Sequence, residues 1–400
     1  MSLFLPQAAL ARDRSEPTGG QSLSRLKFLD GLRGWAAVFV VLYHVFCDAL
    51  PFDANIGSQL KLFLPFSGAM AIFIFFLVSG FSLSRDYLAR GNMPSWTRTA
   101  AGRYFRLSIP IFFACAIVHF AMLAGCIDLP ASRLPKFQDA LTFDPTITHL
   151  LRFSFYGVFF DYRDSYIGPL WTMRFELFGS FIALLAVLLF RPAPYRPLIF
   201  SALATLILIF APNSDYALLA LFPIGCALAD CFHRGWILLP SAIGTSLICI
   251  GITIPVFIPF SVGWWGAIGA TSLVFGCISV PTVRSLLETP FSVRLGDMCF
   301  PIYLIHGPMI WLIGEPLMFR FGQNLTSRIL IDGLTVAVSI LAAAAVVFSP
   351  AKNLAITVSR RIGYSVSNLF FATIQPSRSL GGVSLPGMND KPIGTISGER

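Results

Sequence analysis

The sequence predicts an all-α fold, a polytopic membrane helical bundle of about ten transmembrane helices with both termini cytoplasmic. Three observations carry that prediction. Of the 400 residues, 56% are hydrophobic and 12% charged, where a soluble domain carries about 25% charged residues. Apolar runs recur at the length of about 20 residues that a helix needs to cross the hydrocarbon core. Basic residues collect in alternate loops, as the positive-inside rule requires.

That loop pattern accounts for the net charge of +9, so nucleic-acid binding is not expected. The eight cysteines (Cys47, Cys115, Cys126, Cys226, Cys231, Cys249, Cys277 and Cys299) lie mostly inside apolar segments. None forms Cys-x-x-Cys and no Cys/His cluster has zinc spacing, so they read as packing residues, with no disulfide framework and no metal site.

Residues 1–26 hold Arg12, Arg14 and Arg25 among Ser, Gly and Glu, and lack an apolar core of signal-peptide length. They are expected as a cytoplasmic N-terminal tail. The first span is expected over about 34–51 and the second over Leu62–Leu83. Between the second and third spans, Arg85, Arg90, Arg98 and Arg103 face one acid, Asp86. The third span runs from about Tyr104 to Ile127. The longest connection, about 128–171, is mixed in charge. Its apolar stretch Ile147–Phe160 is too short to cross, and is expected to lie on the membrane or dip into it. The fourth span follows from Thr172 to just before Arg191, then 197–211, 215–232, 237–260 and 263–281, tightly joined. The ninth covers Asp297–Met318 and the tenth Arg328–Phe348. The transmembrane domain is thus placed at 27–350. Residues 351–400 are expected as a cytoplasmic, largely disordered tail, which from Ser377 onward is Gly, Ser, Pro and scattered charge.

Polar groups inside these spans are the candidates for chemistry, because ionisable side chains at membrane depth are costly. Arg33 and His44 are eleven positions apart on the first span, about three helical turns and roughly 16 Å of rise. Eleven steps of about 100° bring both onto one face. His44 reads either as a packing histidine or as a general base, since neutral imidazole takes a hydroxyl proton near neutral pH. Arg103-Tyr104-Phe105-Arg106 reads as an inner membrane anchor, or, with Arg33 and Arg85, as a basic ring suited to a diphosphate. Ser79-Gly80-Phe81 ends the second span beside it, and Gly80 suits close helix approach. The stretch from Gly168 through Trp171 to Glu176 opens the fourth span. Glu176 needs a partner there: it orients an imidazole, holds a sugar hydroxyl or forms a structural ion pair. Tyr303 and His306, three apart on the ninth span, share a face.

In this order, these stretches resemble the acyltransferase 3 family of integral membrane acyltransferases. Arg33-x10-His44, preceded by Leu29-Asp30-Gly31-Leu32 and followed by Gly34, is the most specific element. The segments Trp171 to Glu176 and Tyr303 to His306 support it, and the resemblance spans about 28–320. It implies transfer of an acyl group, expected to be acetyl, from cytoplasmic acyl-CoA to a hydroxyl of an extracytoplasmic or lipid-linked carbohydrate. The setting it implies is the lipid bilayer of a bacterial inner (plasma) membrane. Motif by motif, His44 takes the catalytic role and Arg33 accompanies it, while Glu176 or His306 orients the acceptor or the imidazole. Acetyl-CoA is expected on Arg33, Arg85, Arg103 and Arg106, and the acceptor on Trp171, Glu176 and Tyr303. Two positions depart from the family pattern. Cys299 stands where Ser is frequent, and Gly102 where a second arginine is frequent, which implies a weaker or a differently built donor clamp. Direct transfer and an acyl-histidine both fit. A proton-coupled saccharide or lipid transporter or flippase, with His44, Glu176 and His306 as a relay, is the rival reading. It explains buried ionisable groups but not the ordered motifs.

Overall fold

The computed structural model describes residues 25–50, 53–127, 141–212, 214–237, 239–258, 263–347 and 350–374. The expected N-terminal tail up to residue 24 and the C-terminal tail from 375 lie outside them. Among the described residues the fold is helical, with no strand.

Helix α1 (Lys27–Leu42) runs unbroken into a π-helical segment, Tyr43–Ala49, and is followed by the short α2 (Ala54–Leu60). Ser67 caps α3 (Gly68–Arg90), its hydroxyl accepting from the Met70 N–H. The helix stops at Gly91, whose φ of +66° favours glycine. One residue later Asn92 caps α4 (Met93–Leu123), accepting from the Ser95 N–H. Then come α5 (Ile147–Arg152) and α6 (Val158–Phe160), joined through a π-helical turn. The chain continues through α7 (Met173–Phe190), α8 (Arg196–Phe210), α9 (Leu221–His233), α10 (Ser241–Phe257), α11 (Trp264–Ser279) and α12 (Pro281–Leu287). Last are α13 (Pro290–Met309), α14 (Glu315–Phe321), α15 (Leu325–Val347) and α16 (Pro350–Ile374).

Among the described residues, seven helical stretches are long and apolar enough to cross a membrane, the longest being Pro290–Phe321. Helices α11 and α12 pass together but bend by 94° at their junction, which makes up to eight. The apolar helices α8 and α10 are shorter and stand where the fifth and seventh spans are expected. The second span, α3, begins and ends later in the sequence than hydropathy suggests, because Pro65 lies in a 3-10 turn and Ser67 sets the start. The third begins at Met93 rather than near Tyr104, since its first turns are polar. The first part of the expected tail, up to Ile374, forms α16 along α4, and the stretch from Ser377 onward lies outside the described residues.

Glycines set the packing. A Cβ on Gly34 would stand 2.5 Å from the Gly296 nitrogen, and one on Gly296 would collide with the Asp30 carbonyl. Thus α1 and α13 touch backbone to backbone, side by side and parallel. Gly80 and Gly225 do the same for α3 against α9, where added carbons would strike the Phe222 and Leu77 carbonyls.

Gly34→Val is expected to lower the midpoint of thermal unfolding in detergent, at a cost of about 1–3 kcal/mol from overpacking. Gly333→Ala, where a Cβ meets nothing within 4 Å, is the control and should leave the midpoint unchanged or raise it.

Candidate active site

Parallel packing of α1 on α13 carries polar groups along one shared seam. At its entrance, Arg25 donates to Asp30 (2.5 Å) and to Asp297 (2.6 Å), tying the two helix starts together. The bonds to Asp30 and Asp297 hold the Arg25 pKa above its ordinary value.

Further along the seam, the two candidate histidines come together. His44 and His306 stack with ring centroids 5.2 Å apart. His44 Nδ1 lies 3.0 Å from Asp48 Oδ2. A carboxylate only accepts, so Nδ1–H is the donor and Nε2 keeps its lone pair. His306 is buried, and its Nδ1 donates to the Ile302 carbonyl at 3.3 Å. Its Nε2 is buried with no hydrogen-bond partner among the described residues. Both rings thus present an unprotonated nitrogen. Two irregular segments flank the pair: the π-helix Tyr43–Ala49 begins one residue before His44, and a second, Ile310–Gly314, follows His306. Such widened turns occur often at functional sites.

The arginines gather around Glu176 in the first turn of α7. Arg103 is buried, bonds Glu176 Oε1 through Nη2, and donates from Nε to Ser180 Oγ at 2.8 Å. Ser79 on α3 donates to the same Glu176 oxygen at 2.8 Å. The pair is therefore a buried ion pair spanning α4 and α7, closed by a hydroxyl from α3. Arg33 lies near the Cys299 thiol and the carboxylates of Glu176 and Asp30, and its Nε is buried with no hydrogen-bond partner among the described residues. Arg106 is exposed and adjoins Arg103 and Arg33 electrostatically. Arg85 is half-buried one turn beyond Phe81 on α3. Cys299, a departure from the family pattern, is buried in the seam opposite Arg33.

At the other end, residues 161–172 fold over α13. The Tyr303 hydroxyl meets Thr172 Oγ1 at 2.7 Å and donates to the Pro169 carbonyl. Tyr303 and His306 rings are 5.9 Å apart. Trp171, next to Thr172, packs edge-on against Phe175 at 5.8 Å. Tyr162 donates to Ser165 Oγ at 2.8 Å, and Tyr166 is fully buried with its hydroxyl 3.1 Å from His119 Nδ1. Burial raises the pKa of both phenols, which keeps them as neutral donors.

Asp48 and Ser180 are not among the residues that the sequence points to, and Ser79 enters there only as part of the stretch beside Gly80. Asp48 was within reach of that reading, as its spacing of four from His44 is a helical neighbour relation. The bonds of the two serines leave no local signal, because their partners come from other helices.

The described residues thus form a bundle of membrane-length helices that holds a carboxylate-bound histidine where α1 meets α13. Residues 26–348 match the acyltransferase 3 family, described as an acyltransferase domain, and the chain belongs to that family. The O-acetyltransferase PaAT-1 of Phomopsis amygdali is 24% identical over 376 aligned residues, covering 75% of this chain and 75% of that protein. No solved structure matches the chain.

Glu176→Gln leaves the Arg103 charge unpaired in the bundle and is expected to cost about 3–5 kcal/mol. Thermal unfolding of the purified protein should show this, and the double variant Arg103→Met/Glu176→Leu should recover most of the loss.

Proposed function

We propose that this acyltransferase moves an acetyl group from acyl-CoA to a hydroxyl of a carbohydrate or glycolipid, with His44 as general base. The observation that carries the reading is the His44–Asp48 bond, which fixes the imidazole tautomer with Nε2 free to take a proton. The name of the Phomopsis amygdali relative supports acetyl as the group and oxygen as the acceptor atom.

The residues fit a donor with a nucleotide diphosphate. Arg33 has an orphaned buried Nε, and Arg106 repels Arg103 and Arg33, so an anion would relieve several unfavourable interactions at once. Arg33, Arg85, Arg103 and Arg106 are assigned to hold it. Bound there, acyl-CoA supplies an activated thioester carbonyl and a thiol leaving group. His44 Nε2 takes the proton of the attacking hydroxyl and returns it to the departing sulfur, so no net proton is gained or lost. Asp48 holds the ring in position and stabilises its transient positive charge. His306 positions the His44 ring by stacking, and its free Nε2 is an acceptor for the incoming hydroxyl. Trp171 and Tyr303, joined through Thr172 to the histidine end of α13, are assigned to the acceptor. Glu176 supports the site by holding Arg103. The bundle is assigned to a bacterial inner (plasma) membrane, and the positive-inside distribution supports a cytoplasmic face for the arginines.

Membranes containing wild type are expected to transfer label from radiolabelled acetyl-CoA to a polysaccharide and glycolipid extract. His44→Ala should lower the rate by about 10²- to 10⁴-fold while the protein elutes as a single folded species. Asp48→Asn should lower kcat with little change in KM for acetyl-CoA. Equal transfer by wild type and His44→Ala would sink the assignment.

A further inference from the structure

Helix α16 lies beyond the residues that match the family, 26–348. It runs antiparallel along the first turns of α4, and two glycines fix the contact, one on each helix. At Gly102 an added Cβ would stand 2.6 Å from Ser359 Oγ, and the Ser359 hydroxyl donates to the Gly102 carbonyl at 2.9 Å. At Gly363 an added Cβ would stand 2.7 Å from the Arg98 carbonyl oxygen. The Arg98 guanidinium lies over the Tyr364 ring, 5.0 Å from its centroid. An arginine side chain at position 102 has no room under this helix.

This docking brings Arg360, the residue after Ser359, into the same basic neighbourhood as Arg106, which lies one turn beyond Gly102 on α4. Arg360 and Arg106 are exposed, and Arg106 meets the repulsion of Arg103, Arg33 and Arg360 together. Among the described residues, the carboxylates that act on Arg33 and Arg103 are Glu176 and Asp30. Glu176 is bonded to Arg103, and Asp30 to Arg25. The result is a graded series of guanidinium groups, from exposed Arg360 and Arg106 to buried Arg103 and the seam residue Arg33. Such a series suits a ligand with several phosphate charges that enters the bundle, more than a lipid headgroup that stays at its surface.

We propose that α16 forms part of the donor site, with Arg360 and Arg106 together binding a phosphate group of the acyl-CoA. The assignment rests on the donor proposed above and adds to it a helix outside the family domain.

The test uses the full chain in phosphatidylcholine nanodiscs, titrated calorimetrically with CoA and with pantetheine, which lacks the phosphates. Wild type is expected to bind CoA, and Arg360→Ala to bind it about five- to tenfold more weakly. Arg360→Lys should fall between them, Arg361→Ala should match wild type, and pantetheine should not distinguish any of the four. Equal ligand-free unfolding midpoints show that the variants are folded. If wild type binds CoA and Arg360→Ala binds it equally well, α16 has no part in the donor site. If wild type does not bind CoA at all, the donor reading itself fails. A third result also overturns the assignment: Arg360→Ala loses co-purified phosphatidylglycerol, measured by mass spectrometry, yet keeps its CoA affinity. That would make the cluster a lipid headgroup site.

Discussion

Gly34 and Gly296 leave no space for a β-carbon between α1 and α13, so the two backbones lie in contact and the helices cannot rotate or slide independently. Most of the site follows from that contact. Because the helices are parallel, Arg33 comes opposite Cys299 and, further along, His44 comes opposite His306. Arg25 clasps the entrance by binding Asp30 of one helix and Asp297 of the other. A larger residue at either glycine would therefore displace the chemistry as well as the packing.

The buried pair of Arg103 and Glu176 has a different task. Burying an ion pair rarely adds stability over apolar residues of similar size, because desolvation offsets the attraction. What it does here is join three helices at one point, since Ser79 from α3 and Ser180 from α7 complete its hydrogen bonds. A carboxylate at that place also lowers the repulsion among the arginines around it. The site can then hold several like charges inside the bundle before any anion binds.

Much of this was legible in the sequence, and the rest was hidden for identifiable reasons. Hydropathy located the apolar middles of the helices but not their ends. Gly68–Arg90 and Met93–Leu123 both extend into polar turns, whose limits are set by Ser67, Gly91 and Asn92. Helix α16 was read as tail because it is weakly apolar, and its stability comes from its seat on Gly102 and Gly363, a tertiary relation. Arg33, His44 and His306 stood out as rare polar residues in apolar runs. That His44 and His306 stack could not be read from either helix alone. Neither could the ion pair of Arg103 with Glu176, whose members lie 73 residues apart.

The helices differ in length in a way that bears on the surrounding lipid. With 15 residues, α8 rises about 22 Å, and α10, with 17, about 25 Å. The hydrocarbon layer of a typical bilayer is about 30 Å thick. The stretch Pro290–Phe321, at 32 residues, is long enough to cross that layer with turns to spare. Where α8 and α10 face lipid, they thus present an apolar wall shorter than the layer is thick. A bilayer of uniform thickness can meet both only by thinning beside α8 and α10, or by letting the whole bundle lean.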